Sequence, residues 1–242
     1  MVAAGIAAGV ANGVAGGGTL LSFPVLLALG IPALTANVSN SVGVVPSYIA
    51  GIAGFRAELS ERRRVIVSLL PALVIGTLLG TALLLEGSAS TFRSVVPWLV
   101  GIATVAFALQ PIITRSIAHV AHDHPTRRAL LQVGSFAIAI YGGYFGAGVG
   151  IMLLAVMGIA LPDDLGTLSG LRSAMSILIC VVAAVVFVIR GHLAWDAVVA
   201  LWIGTLAGGT LGTAVVLRIP PVWLRVAVVV VGTATTIRLA IS

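Results

Sequence analysis

An all-α polytopic membrane protein, made of two homologous repeats of four hydrophobic segments each, is what this sequence predicts, and three observations predict it. The chain of 242 residues is 60% hydrophobic and 8% charged, with a mean hydropathy of +1.19. That leaves too little polar surface to cover a water-soluble globule, so the chain belongs in a lipid bilayer. Next, Ala15-Gly16-Gly17-Gly18 returns as Ala147-Gly148-Val149-Gly150, and the same offset of 132 residues (148 − 16) joins further positions without a gap. It carries Leu21 to Leu153, Thr35 to Thr167, Ser41 to Ser173, Phe55 to Phe187, Gly76 and Gly80 to Gly208 and Gly212, and Arg93 to Arg225. Matches among Ala, Val and Leu are cheap in this composition, so the glycines, hydroxyls and arginine carry the weight. Finally, charge or proline divides the chain into eight apolar runs.

Those runs cover residues 2–29, 32–55, 64–85, 93–113, 129–160, 165–189, 193–217 and 221–241. Most are about 20 to 25 residues, the length of a spanning helix. The first and fifth are longer, and as straight helices would reach about 42 to 48 Å against a hydrocarbon core of about 30 Å. Their glycine clusters, Gly13 to Gly18 and Gly142 to Gly150, fall near mid-segment. Backbone interruption is tolerated at membrane depth only where it is buried or lines a cavity, so two half-helices meeting near the midplane are expected rather than one steeply tilted helix. The repeats are thus 1–113 and 129–242, joined by a linker at 114–128.

Every one of the 13 basic residues is arginine, and they cluster in short loops. The net charge of +6 and pI near 11.0 therefore read as topology signals and give no reason to expect a nucleic-acid partner. Loops 56–64 and 114–128 are strongly basic, so both should face the cytoplasm. Eight crossings place nine arginines inside and three outside, and re-entrant first and fifth segments give the same tally. The rule does not choose between parallel and inverted repeats; the length of the first and fifth segments favours inverted ones. The single cysteine, Cys180, can form no intrachain disulfide, and no basic n-region marks a cleavable leader.

Where a helix breaks in a membrane, its first N–H groups lack partners and its dipole places partial positive charge there. Glycines at the break remove Cβ and let an anion approach the backbone. Gly16, Gly17 and Gly18, with Gly146, Gly148 and Gly150, are the candidates; tight helix packing is the alternative, and is preferred for Gly76, Gly80, Gly208 and Gly212. Arg172 is the one charge inside a hydrophobic segment, about 10 Å along a helix from Asp164. It should face a polar cavity or partner, or else snorkel or pair with Asp163 or Asp164. Its repeat mate is Asn40, in the polar cluster Asn37-Val38-Ser39-Asn40-Ser41, and Ser169 is the mate of Asn37. Helix capping by Asn37 or Ser39 competes with ligand contact.

All seven acidic residues read as loop or segment-end positions, so no deep carboxylate offers a proton carrier. His119, His122, Asp123 and His124 could hold a divalent cation, but match no closed zinc site and read as a solvated linker. There is no G-x-S-x-G elbow and no phosphate loop. Neither catalysis nor a cofactor is expected, which leaves a metal exporter and a membrane-embedded enzyme as the weaker alternatives to an anion transporter.

The run Tyr141-Gly142-Gly143-Tyr144-Phe145-Gly146-Ala147-Gly148-Val149-Gly150-Ile151-Met152-Leu153-Leu154-Ala155 resembles the TauE/SafE family of membrane permeases, also called sulfite exporters. The first half is similar to that family's opening repeat through Gly16 to Gly18, Pro24, Gly30 and the Ala36-Asn37 to Asn40 cluster. The resemblance implies transport, in the export direction, of sulfite, organosulfonates such as sulfoacetate, or other small organic anions. It departs from the family's pattern in one place. Ser169 and Ser173 stand where asparagines are common, and Arg172 where a lysine is, which keeps the positive charge. The expected substrate contacts are Gly16, Gly17, Gly18, Asn37, Asn40, Tyr144, Gly146, Gly148, Gly150, Ser169, Arg172 and Ser173. The expected partners are a small anion and the lipid of the cell membrane, and the chain is compatible with a homodimer.

Overall fold

The computed structural model describes residues 1–14, 16–52, 62–117, 126–161, 163–215 and 221–241. Every regular element among them is an α-helix: α1 Val2–Val14, α2 Thr19–Ala28, α3 Ala33–Gly43, α4 Val45–Ile52, α5 Arg63–Glu86, α6 Ala89–Ile117, α7 Thr126–Tyr144, α8 Val149–Ala160, α9 Leu165–Arg190, α10 Trp195–Val215 and α11 Pro221–Ile241. Three of these, α5, α6 over Ala89–Ile112 and α9, are long and apolar enough to cross a membrane. Both long segments are broken: α1 gives way to α2 across residues 16–18, and α7 to α8 across 145–148. With 10 and 12 residues, α2 and α8 reach only about 15 to 18 Å, roughly half a hydrocarbon core. Helix occupies both flanks of the expected linker, as far as Ile117 and from Thr126. The histidine cluster at 119–124 lies outside the described residues, as does most of loop 56–64.

A third break, absent from the sequence reading, separates α3 from α4 at Val44. Pro46 causes it. A proline has no N–H to offer the carbonyl four residues back, so the Val42 carbonyl is released, and it accepts the Trp202 Nε1–H of α10 at 2.9 Å. The Ser47 amide turns to Val44 at 3.1 Å instead of Gly43, and the Gly43 carbonyl accepts the Thr205 hydroxyl at 3.0 Å. Each carbonyl freed by the kink thus finds a donor on a neighbouring helix, the condition for a break at membrane depth.

The helices interleave the two halves of the chain. The principal partner of α1 is α10, and that of α5 is α7. Glycine sets both spacings: a Cβ on Gly9 would lie 2.6 Å from the Thr205 carbonyl oxygen, and one on Gly76 2.7 Å from that of Phe136. Gly80 and Gly208 sit at least as tightly against Ile140 and Ile6, so packing accounts for all four glycines. Buried apolar side chains form two clusters. One centres on Phe23, Phe92, Phe107, Phe145 and Phe187, the other on Leu69, Leu73, Leu153, Met157, Leu171 and Met175. Outside them, Ile75, Leu79 and Leu83 of α5, Val185 and Ile189 of α9, and Ile203 and Leu206 of α10 are exposed. An apolar surface of that extent needs lipid rather than water around it.

Candidate functional site

Arg172 anchors the site. It lies on the inward stripe of α9 with Leu168, Met175, Ser176 and Ile179, and only 6% of it is exposed. The two acids that might have neutralised it are engaged elsewhere. Asp163 pairs with Arg62, and Asp164 caps α9 by accepting the amides of Gly166 and Thr167 at 2.8 and 3.1 Å. Arg172 therefore neither snorkels nor pairs with a carboxylate among the described residues.

Helix register shows what surrounds it. The helices α5 and α7 run parallel, because Gln132 Nε2 donates to the Ser68 carbonyl near their starts while Gly80 meets Ile140 and Tyr144 further on. The Arg62–Asp163 pair brings the starts of α5 and α9 together, so all three helices rise from one side. Gly142 of α7 packs on Ile179 of α9. Seven residues earlier on the same faces stand Ser135 and Arg172, about 10 Å nearer the start. Ser135 is fully buried, and neither its hydroxyl nor that of Ser176, one turn beyond Arg172, has a hydrogen-bond partner. Tyr48 of α4 lies within electrostatic reach of Arg172, beside Cys180. Helix register thus carries Ser135 to about the depth of Arg172, with Ser176 one turn beyond, and all three are buried. Sequence reasoning singled out only the arginine; the heptad offset from a glycine contact could have found Ser135 only with α7 and α9 already paired.

The two chain breaks meet. Gly16 and Gly148 both adopt φ of +75°, and Gly146 +83°, backbone that L side chains rarely take. A Cβ on Gly16 would stand 3.2 Å from the Gly150 Cα. Phe145 packs edge-on against Phe23 with ring centroids 5.4 Å apart, and the Tyr141 hydroxyl donates to the Ala147 carbonyl at 2.7 Å. At the first break the Gly18 amide donates to Asn12 Oδ1 at 2.7 Å, while Asn12 Nδ2 donates to Ser47 at 3.0 Å. The Phe107 ring occupies the space where a Gly17 side chain would be. Asn12 thus ties the Gly18 end of that break to Ser47 of α4. At the second break, the buried amides of Gly148, Val149 and Gly150 have no acceptor among the described residues.

Asn37 and Asn40 are fully buried within α3, whose N-cap is Pro32, so neither Asn37 nor Ser39 caps that helix. Ser39 instead accepts the Ala194 amide at 2.9 Å, just ahead of α10. Asn37 Nδ2 donates to the Tyr144 carbonyl at 2.9 Å, and the Ser22 hydroxyl donates to Asn40 Oδ1. Asn37 Oδ1 and Asn40 Nδ2 keep no partner. The Tyr144 ring tilts against Phe92 with centroids 5.9 Å apart. The helices α3 and α4 run antiparallel to α9, with Val38 beside Gly191 and Tyr48 beside Cys180. Arg172 consequently lies on the far side of Tyr48 from both asparagines. The expected contacts form two polar stations: Arg172 with half-buried Ser169 and Ser173 on one level, and Asn37, Asn40 and Tyr144 by the breaks on another. Ser173 turns its hydroxyl onto the Ser169 carbonyl at 2.8 Å. No grouping of three His, Cys, Asp or Glu side chains suited to a metal occurs among the described residues.

Interrupted apolar helices with unpaired amides, together with a buried cation that has no carboxylate partner among the described residues, are features of a membrane transporter. Comparison with known proteins gives the same class. The chain matches the family described as Sulfite exporter TauE/SafE over residues 1–239, and it belongs to that family. It is also similar to a probable membrane transporter protein of Haemophilus influenzae (strain ATCC 51907 / DSM 11121 / KW20 / Rd). The two are 22% identical over 227 residues, which cover 93% of this chain and 87% of that protein. No solved structure matches.

Proposed function

We propose that this protein is a multi-pass transporter of the plasma membrane that exports a small anion, sulfite or an organosulfonate such as sulfoacetate, by alternating access. The observation that carries the proposal is Arg172, buried without a carboxylate partner among the described residues, with the buried partnerless hydroxyl of Ser176 one turn along the same helix and that of Ser135 on α7. A site holding a fixed positive charge and free donors takes an anion with several acceptor oxygens, and sulfite and sulfonates have three. The orphan amides of Gly148 to Gly150, at the positive end of the α8 dipole, form the next station. Asn37 and Asn40 then offer neutral hydrogen bonds further along.

Two inverted repeats fit this reading. The equal φ of Gly16 and Gly148, which are repeat mates, and the exchanged pairing of α1 with α10 and α5 with α7 support a pseudo-twofold relation. The basic loops 56–64 and 114–128 then lie in the cytoplasm, on the side from which α5, α7 and α9 rise. Arg172 would thus meet the anion first during export, and the breaks would receive it second.

The test is flux of labelled sulfite and labelled sulfoacetate in proteoliposomes carrying the full chain. Saturable flux of either anion is expected, abolished by Arg172→Gln and reduced at least tenfold by Ser135→Ala with Ser176→Ala, in protein that retains native helicity. Absence of flux of both anions in folded protein would overturn the substrate assignment. Undiminished flux in Arg172→Gln would overturn the site.

A further inference from the structure

The start of α6 carries a cation that no acidic residue of the same helix neutralises. Arg93 is the fifth residue of the helix, one turn in from its N-terminus, and the first turn holds no acidic residue. Ser88 caps the helix by accepting the Thr91 amide at 3.0 Å. Arg93 is exposed and has no ion pair among the described residues. Arg238, in the last turn of the antiparallel neighbour α11, is exposed at the same end. Beneath Arg93 opens a cleft of about 690 Å³ between α6 and α11, lined by Ser90, Ser94, Pro97, Trp98 and Ile237. A second cleft of about 610 Å³ shares Pro97, Trp98 and Thr236 with it and continues along α6 past Ile102 and Val105 to Leu109. Arg93 to Leu109 is about 24 Å of helix. Trp98, 74% exposed, stands where the polar mouth becomes apolar, the depth at which tryptophan anchors in a bilayer interface.

We infer that the α6–α11 cleft is a binding site for an anionic phospholipid, with the headgroup phosphate on Arg93 and an acyl chain along Trp98, Ile102 and Val105. The charge at the mouth selects the occupant. An exposed cation without an ion pair among the described residues calls for an anion, and the apolar floor below it calls for a hydrocarbon chain on the same molecule. Gly101 faces Thr236 across the cleft at ordinary contact distance, which leaves its floor shallow and narrow, suited to a single chain.

The experiment is native mass spectrometry of the delipidated full chain after exposure to phosphatidylglycerol and phosphatidylcholine of matched acyl chains. One arginine near a membrane surface should favour the anionic lipid about fivefold. Arg93→Gln should bring the ratio close to one, and Ser94→Asp, which places a negative charge in the mouth, should reverse it. Equal retention of the two lipids by the native chain, or a preference that survives both substitutions, would overturn the assignment. So would displacement of the lipid by inorganic phosphate alone. Cross-linking through Trp98→Cys that joins two copies with no lipid retained would assign the cleft to a second copy and likewise overturn it.

Discussion

Replacing Arg172 with methionine should make the protein more stable and inactive at once. An arginine at the centre of a spanning helix is unfavourable by about 2.5 to 3.5 kcal/mol on insertion scales, and Arg172 is 6% exposed with both nearby acids engaged by Arg62 and by the α9 amides. No ion pair offsets that penalty. Methionine keeps an unbranched side chain of similar reach that can fill the same space. Substituting buried ionic groups with apolar ones of similar volume commonly gains about 1 to 4 kcal/mol, so a gain of about 2 kcal/mol is expected. In a chain of this size that raises the unfolding midpoint by roughly 4 to 8 °C. The assay is thermal unfolding in detergent, with and without sulfite. Sulfite at one hundred times its dissociation constant should stabilise the native chain by about 2.7 kcal/mol and Arg172→Met not at all. A variant that loses more than about 3 kcal/mol, the signature of a broken buried pair, would refute the reasoning. So would one that sulfite still stabilises.

Two further outcomes follow from the geometry. Trp202→Phe and Thr205→Val each strand a carbonyl released at the Pro46 kink, and each should lower stability by about 0.6 to 1.7 kcal/mol; denaturant titration in mixed micelles measures it. Pro46→Ala restores a donor for Val42, so in that background the Trp202→Phe loss should shrink. Asp164 gives the pH dependence. Its bonds from the Thr167 hydroxyl and from the amides of Thr167 and Gly166 hold its carboxyl below the usual range. The cap therefore contributes fully above the unfolded value of about 3.9, and its contribution fades as pH falls through the lower folded value. Unfolding midpoints taken from about pH 6 to about pH 2 should show that acid limb in the native chain and lose part of it in Asp164→Ala.

Much of this fold was legible because the bilayer imposes simple rules. Segment limits followed from charge and proline, and the breaks at Gly16 and Gly148 from segments too long to run straight. Arg172 stood out because a lone charge in an apolar run has few bland explanations. What stayed hidden depends on partners remote in the chain. Asn12 reads as an ordinary polar residue in an alanine-rich stretch until Gly18 and Ser47 close around it. Ser135 and Ser176 look like small residues that permit packing until burial leaves both hydroxyls without partners. The Pro46 break was missed because a proline in an apolar segment is tolerated if donors wait nearby, and Trp202 and Thr205 lie some 160 residues away. Gly17 and Gly18 were noticed as candidates for anion contact, yet Phe107 and Asn12 already fill the space that a side chain would need.

The interleaving of α1 with α10 and of α5 with α7 has a consequence for how the protein is made. The helix α1 is synthesised well before its glycine-lined partner and meets it only when residues 195–215 have entered the bilayer, and α5 waits for α7. During that interval the early helices must be tolerated in lipid with their tight faces unpacked, so their consolidation waits for the second half of the chain. Severing the chain between α6 and α7 should yield two fragments that persist poorly alone and recover when made together. The order in which the segments are translated is then unlike the order in which they lock.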